Sequence, residues 1–528
     1  MKRLFITFPA GMKKYFFLIL IFTFLVQNGI RAQYEGKIQW GGEIFKPSSS
    51  TAFSVIGNWK DGVMMQSRTK TKLFSASKTF IQRFDDLTLL PQFNKEVVLE
   101  TNRGDKSLEY QVMERLGDNP VLFATYYNRQ KDKIELYGRV YSIEGEAVGK
   151  EKKIAQFPAD RKSDMELLQF VPSADSSSML AFFSQRFDKF SNEKITFEYF
   201  SKELESLWER EIEFPYKGSN FSIHRTAVDK NGRVYLLVRI RYDKDEPAGK
   251  DGPPFRYSLV TFDGDSTNVE DYELTLGTKI ISDIDMFIDS AGNVVCSGFY
   301  SNRGVSQAAG TFFLRVNRSD KKIEGKVLND FDPSFASSFL ESSRIKGQVE
   351  LTDFKMDHLV QFKDGSFGLV AEQFLIDQIC YQDFRTGMIN CNYFYYYNNI
   401  IVIRMDSEGS VIWAADIPKY QESSNDYGYY SSYVFGFDGE SMHFVFNDNP
   451  KNLTETDQRR AHQMDNVKRA TIVHAKLGMD GSFARENALT DKKNRFFFVP
   501  SYSAQISDNS IWLVGLTSNK YRVGVLSW

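Results

Sequence analysis

Short runs in which apolar and polar residues alternate recur along the chain, each following a turn-rich tetrad. "GRVYLLVRIRY", "GNVVCSGFY", "GSFGLVAEQF", "ESMHFVF" and "NSIWLVGL" are the clearest, with "GVMMQSR", "PVLFATYY" and "SMLAFFSQR" upstream. Period-two patterning bounded by Gly, Asp and Asn predicts strands. Before each run lies a shorter strand ending in Asp, Asn or Gly, such as "HRTAVDKNG", "DMFIDSAG", "LVQFKDG" and "YVFGFDG". After each comes a third, such as "KITFEYFSKE", "TFFLRVNRSD", "IIVIRMDSEG" and "TIVHAKLGMDG". A fourth is marked by Trp, three residues, then Ile: "ESLWEREIEFP" and "GSVIWAADIPK". The chain thus repeats a four-strand antiparallel unit. Eight such sets are legible, or seven if the irregular first one is misread.

The last set stops at "KYRVGVLSW" with no fourth strand after it, and the matching piece, "GKIQWGGEIF", stands near the N-terminus. The N-terminal strand is therefore expected to complete the last sheet and close a ring. Four-stranded sheets repeated radially and closed in this way resemble a β-propeller, in which repetition leaves only short edges. The resemblance covers nearly all of Gln33 to Trp528 as one all-β domain. It rests on pattern, since neither a Trp-Asp repeat nor a run of kelch glycines is present. Trp40, Trp208 and Trp413 are expected to cover neighbouring sheets.

Ahead of the repeats, "MKKYFFLILIFTFLVQNGIRAQ" has a Lys pair, an apolar run from Phe16 to Val26 and a small residue at Ala32. This is the pattern of a secretory signal over residues 1–32. The run of about 11 residues falls short of the roughly 20 that span a bilayer, and no later segment is apolar enough to cross one. Lys+Arg 66 against Asp+Glu 68 gives a net charge of -2, which lacks the basic footprint of a nucleic-acid binder. Export permits disulfides, so Cys380 and Cys391, on one insertion, are expected to pair. Cys296, inside "NVVCSGFY", reads as a buried free thiol.

In a propeller, second-to-third loops and the crossovers between sheets share one face, and the long segments here all fall there. "IDQICYQDFRTGMINCNYFYYYNN" interrupts the sixth set, and "DYGYYSSY" leads into the seventh. Phe384, Tyr393, Phe394, Tyr395, Tyr396, Tyr397, Tyr427, Tyr429 and Tyr430 form the candidate interface, in the composition of protein-binding anchors. The alternative is that "YFYYY" lengthens two strands and packs alternate rings inwards. The seventh-set insertion, with Arg459, Arg460, Lys468 and Arg469, reads as a short charged helix or a solvated loop.

Recognisable reaction chemistry is sparse. The five histidines, His224, His358, His443, His462 and His474, have no metal-ligand spacing, and the Asp-rich turns lack the alternating ligands of a calcium loop. No catalytic residue, cofactor or metal is assigned. His224, His358, Asp283, Asp285 and Asp357 lie on innermost strands, so the rival reading is a glycan-binding or glycan-cleaving site in the central channel. The Phe/Leu/Ile-rich signal ending before Gln33, with abundant Phe, Tyr, Asn and Lys, is similar to envelope proteins of Bacteroidota. That resemblance implies a propeller attached to outer-membrane machinery such as the type 9 secretion translocon, with an outer-membrane protein as partner. The chain ends within a propeller strand, so no C-terminal sorting domain is expected. The location expected is the periplasm or the inner side of the outer membrane.

Overall fold

A computed structural model describes residues 36–48, 51–60, 62–69, 77–99, 107–185, 190–242, 253–264, 268–289, 291–338, 350–455, 461–489 and 496–528. The signal at 1–32, with Arg459 and Arg460, lies outside them.

Eight antiparallel four-stranded sheets follow one another along the chain. Blades 1 to 7 occupy residues 51–96, 109–158, 168–217, 221–274, 280–330, 354–417 and 434–487. The eighth is built from both ends of the chain: Ala504–Ser507, Ser510–Leu516 and Lys520–Ser527 are completed by Ile38–Trp40. Ile44–Phe45 pairs with the same last strand. Closure by the N-terminal strand is as expected, and the count is eight.

The ring follows from strand alternation. In Asn119–Asn128, Val121 and Phe123 face blade 3 while Leu122 faces blade 1. In Val294–Ser301, Val294 and Cys296 face blade 4, and Val295 and Phe299 face blade 6. Second strands therefore bury both faces, so the alternation in their sequences does not mark a solvent side. One buried cluster fills each junction, and the last joins Val63 and Met65 of blade 1 to Trp512 and Val514 of blade 8. Cys296 is fully buried, and burial pushes its thiol up to about 12.

Hydrogen bonds circle the innermost strands in the same order. Arg115 donates to the Asn58 carbonyl at 2.8 Å, Ala174 N to Val228 O at 3.0 Å, and Met356 N to Asp283 Oδ2 at 2.8 Å. Gln505 Nε2 donates to Phe437 O at 2.8 Å, and Asn58 Nδ2 to Ile506 O at 3.4 Å, which returns the circuit to blade 1. The short turns share one device. Asp229 Oδ1 accepts from Asn231 N and Arg233 N at 2.8 and 3.1 Å, with Gly232 at φ +82°. The Asp residues are thus turn-formers that cap their own backbone.

Trp208 lies where a Cβ on Gly264 of blade 4 would fall 2.2 Å from its ring, and Trp413 donates to Met479 O of blade 7 at 3.1 Å. Both cover the next sheet. Trp40 lies over Gly515 and Gly524 of its own blade and packs against the buried cluster between blades 7 and 8.

Candidate functional site: the sixth-blade arm

Phe367–Gln382 and Ile389–Met405 run to 16 and 17 residues, about twice the length of the other second and third strands. A bulge between Glu372 and Phe374 marks where they leave the blade. Beyond it they pair as a hairpin out to Gln382 and Ile389, and Cys380 is bonded to Cys391 across it with Cα atoms 4.0 Å apart. Gln421–Ser424 adds a third strand along Phe394–Tyr397.

The aromatic run is therefore strand, with alternate rings turned inwards. Tyr395 is 7% exposed, and Tyr397 packs on Phe374 at 4.7 Å. A Cβ on Gly428 would stand 2.4 Å from the Tyr397 ring, so the crossover closes over it only as glycine. Phe394 and Tyr396 are half-buried. Tyr429 and Tyr430 point the other way, packing on Tyr502 and Phe497 of blade 8. Of the nine candidates, Phe384 (99% exposed), Tyr393 and Tyr427 (84%) are open to solvent. Sequence reasoning missed Leu375, Ile376, Ile379, Tyr381, Met388 and Ile389, all exposed on the same arm. Their signal was present: "FLIDQICYQ" alternates like a strand but follows one already long enough for the blade.

The arm is held at its root by a buried polar network. Lys419 is fully buried; its Nζ donates to Glu372 Oε1 at 2.6 Å, Tyr397 O at 2.9 Å and Gln421 Oε1 at 3.0 Å. All three protons are satisfied, the condition under which a buried ion pair is tolerated. Burial pulls Lys419 below its usual range, against the pull of Glu372. Ser432 Oγ donates to Glu372 Oε2 at 2.7 Å, and Gln421 Nε2 to Asn447 O at 2.7 Å. Asn447 in turn donates to Tyr430 O and Phe498 O, both at 2.8 Å, tying blades 6, 7 and 8 together. The crossover that presents Tyr427 has positive φ at Asn425, Tyr427 and Ser432, a conformation that persists where surrounding bonds over-determine it.

The channel residues are engaged with one another. Innermost strands of six blades carry a register shift at a similar depth, among them Ile223/Arg225, Ile281/Asp283 and Met356/His358; such bulges re-aim side chains. His224 Nε2 lies 2.9 Å from Ile284 O, and Arg225 Nε donates to Asp285 Oδ1 at 3.2 Å. Tyr433 donates to Asp357 Oδ2 at 2.6 Å; burial, then the Glu372 carboxylate, pushes Asp357 up to about 7. His358 stacks on Phe435 at 4.3 Å, and burial lowers it to about 4. On blade 7, His443 Nδ1 and His474 Nε2 stand 3.0 Å apart, with Trp528 stacked on His443 at 3.8 Å. Glu486, beside His474, accepts from Gly36 N at 2.9 Å, so this pair packs between the start of the closing strand and Trp528. Among the described residues no cluster of His, Cys, Asp and Glu is arranged to hold a metal. A cavity of about 480 Å³ opens where blades 1 to 3 meet; of its four charged residues, Lys162 is paired with Glu109 and Arg68 lies over the Tyr110 ring. Lys468 and Arg469 lie on a single 3-10 turn, Val467–Arg469. No helix of the described residues is long and apolar enough to cross a membrane.

No protein-family model matches the chain, and no curated protein matches it. Solved structures similar to it include the propeller domain of the Trilobed protease from Pyrococcus furiosus, of open velcro topology, at 10% identity and TM-score 0.38, covering 85% of this chain and 98% of that one. The WD40 domain of SCAP from fission yeast is similar at 9% identity and TM-score 0.36, covering 93% and 98%. An ulvan lyase, a polysaccharide lyase, is similar at 8% identity and TM-score 0.37, covering 79% and 91%.

Proposed function

We propose that this propeller is an exported, non-catalytic scaffold that holds another envelope protein against its arm-bearing face. The observation that carries this reading is the arm. It presents Phe384, Met388 and Ile389 to solvent at the end of a disulfide-bonded hairpin whose root is held by the buried Lys419–Glu372 pair. Contiguous exposed apolar surface on a stiff element is the usual mark of an interaction site. The compositional resemblance to Bacteroidota envelope proteins favours an accessory role in an outer-membrane or type 9-like secretion complex, on the periplasmic side. The rival glycan reading has less support, because the inner-strand carboxylates and imidazoles are paired with protein groups.

The test is co-purification with the native envelope partner. Replacing Phe384, Met388 and Ile389 together by Ser should leave the melting curve unchanged. Capture should weaken by roughly thirtyfold or more, the cost of about 2 kcal/mol for losing a central anchor. Changes in the turn Asp229 to Gly232, on the opposite face, should cost little. Undiminished capture by the triple variant would contradict the reading, and a sugar-induced rise in melting temperature would favour the rival.

A further inference from the structure

The arm has two edges, and the described residues cover one of them. Gln421–Ser424 pairs along Phe394–Tyr397, and Asn425 N donates to Tyr393 O at 2.9 Å just beyond. The other edge is the segment from Leu375 to Gln382. Its blade neighbour, Phe354–Gln361, stops pairing at Gln373, and among the described residues no strand lies beside the remainder. Every residue from Leu375 to Gln382 is exposed.

Backbone geometry says which groups that edge offers. At the root, Phe374 N donates outwards to Asp353 O at 2.8 Å; at the tip, Asp383 N donates across the hairpin to Met388 O at 2.8 Å. The 4.0 Å Cα separation of Cys380 and Cys391 is that of a narrow, non-hydrogen-bonded pair. The N–H and C=O groups of Ile376, Gln378, Cys380 and Gln382 therefore point away from the hairpin, a row that forms a ready template for another extended strand.

Several outer edges of this protein are guarded against such pairing. The outermost strands of blades 2, 3 and 5 read "AVGKEKKIAQFP", "SLWEREIEFPYK" and "KIEGKVLND", with the charges and Pro that block edge-to-edge association. The segment "LIDQICYQ" has one charge, Asp377, and neither Lys nor Pro. A lipid bilayer is a poor occupant, because an open sheet edge is not tolerated in hydrocarbon.

We propose that this edge pairs antiparallel with the same edge of a second copy, joining two arms into one continuous sheet. A two-fold axis at Ile379 puts Gln378 opposite Cys380 of the second copy and Ile376 opposite its Gln382, so outward-pointing groups meet outward-pointing groups. Ile379 then meets its own counterpart. Asp377 lies opposite Tyr381, which spares the single carboxylate a direct encounter with itself, and like charges directly opposite are what destabilise such pairs. The tip stays clear of the second copy, so this inference stands apart from the scaffold reading.

Sedimentation and light scattering of the purified, oxidised protein test it without any partner. The wild type should have the mass of two chains. Gln378→Pro removes an outward N–H and breaks no backbone bond within the chain, losing exposed side-chain bonds such as that from Gln378 Nε2 to Tyr393 OH; Ile379→Lys sets like charges across the axis. Each should shift the equilibrium toward monomer at least about tenfold with the melting curve unchanged, and either suffices should the other misfold. A monomeric wild type, or a dimer that withstands both substitutions, would overturn the proposal.

Discussion

At the scale of single residues, Asp357 and His358 are neighbours on one strand with opposite responses to burial. Asp357 is raised from 3.8 to about 7. Its contribution to stability is fully present below 3.8 and lost as pH rises through 7. Asp357→Asn stays neutral and keeps an acceptor for Tyr433. It should therefore melt above the wild type at pH 8, by a few degrees for a shift worth roughly 1.4 kcal/mol per pH unit at most, and that advantage should vanish near pH 4. His358 is lowered from 6.5 to about 4, so its contribution is present above 6.5 and lost as pH falls through 4. His358→Gln should accordingly soften the acid loss of stability between those values. Melting curves at pH 8, 6 and 4.5 check both, and a pH-independent difference between Asp357→Asn and the wild type would show that the carboxyl is not protonated in the fold. Both residues were legible in the sequence as inner-strand candidates. Their proton affinities were not, because these depend on Glu372, Arg225 and Tyr433, brought in from other strands and blades.

At the scale of elements, the repeated strands were readable because each carries its own evidence: period-two alternation inside, and an Asp with a positive-φ glycine at the turn. The arm was only half readable. "YFYYY" has the composition of an interface, yet strand geometry sends Tyr395 and Tyr397 inwards and leaves the tip exposed. The positions of Tyr429 and Tyr430 depend on contacts with Tyr502 and Phe497, about 70 residues away. The division is testable. Tyr395→Ser should loosen the arm by about 2 kcal/mol or more, seen as faster hydrogen exchange from Phe374 to Tyr397, whereas Phe384→Ser should change exchange nowhere but at the tip. Reducing Cys380–Cys391 should remove about 3 kcal/mol of local stability and accelerate exchange in the arm roughly a hundredfold, with the blades unaffected. Exchange rates in the arm that ignore reduction would mean that the disulfide does not hold it.

At the scale of the whole molecule, the ring is closed three times over: by strand pairing of Ile38–Trp40 with Lys520–Ser527, by the buried cluster between blades 8 and 1, and by the circuit of inner hydrogen bonds. Deleting Gly36 to Phe45 removes the first and bares an edge. Losing the buried Ile38 and the packed Trp40 should alone cost roughly 3–5 kcal/mol, and an unchanged thermal transition would contradict N-terminal closure. The sequence showed this architecture because a missing fourth strand at one end matched a spare one at the other. It did not show the arm, since that depends on one hairpin outgrowing its blade.

The central claim is that the arm is where this propeller meets its partner. A photo-crosslinking amino acid placed at Phe384, and separately at Asn231 on the opposite face, puts that claim to a direct test in the native host. The account predicts one dominant covalent adduct with an envelope protein from position 384 and none from 231. Adducts from 231 with none from 384 would contradict it.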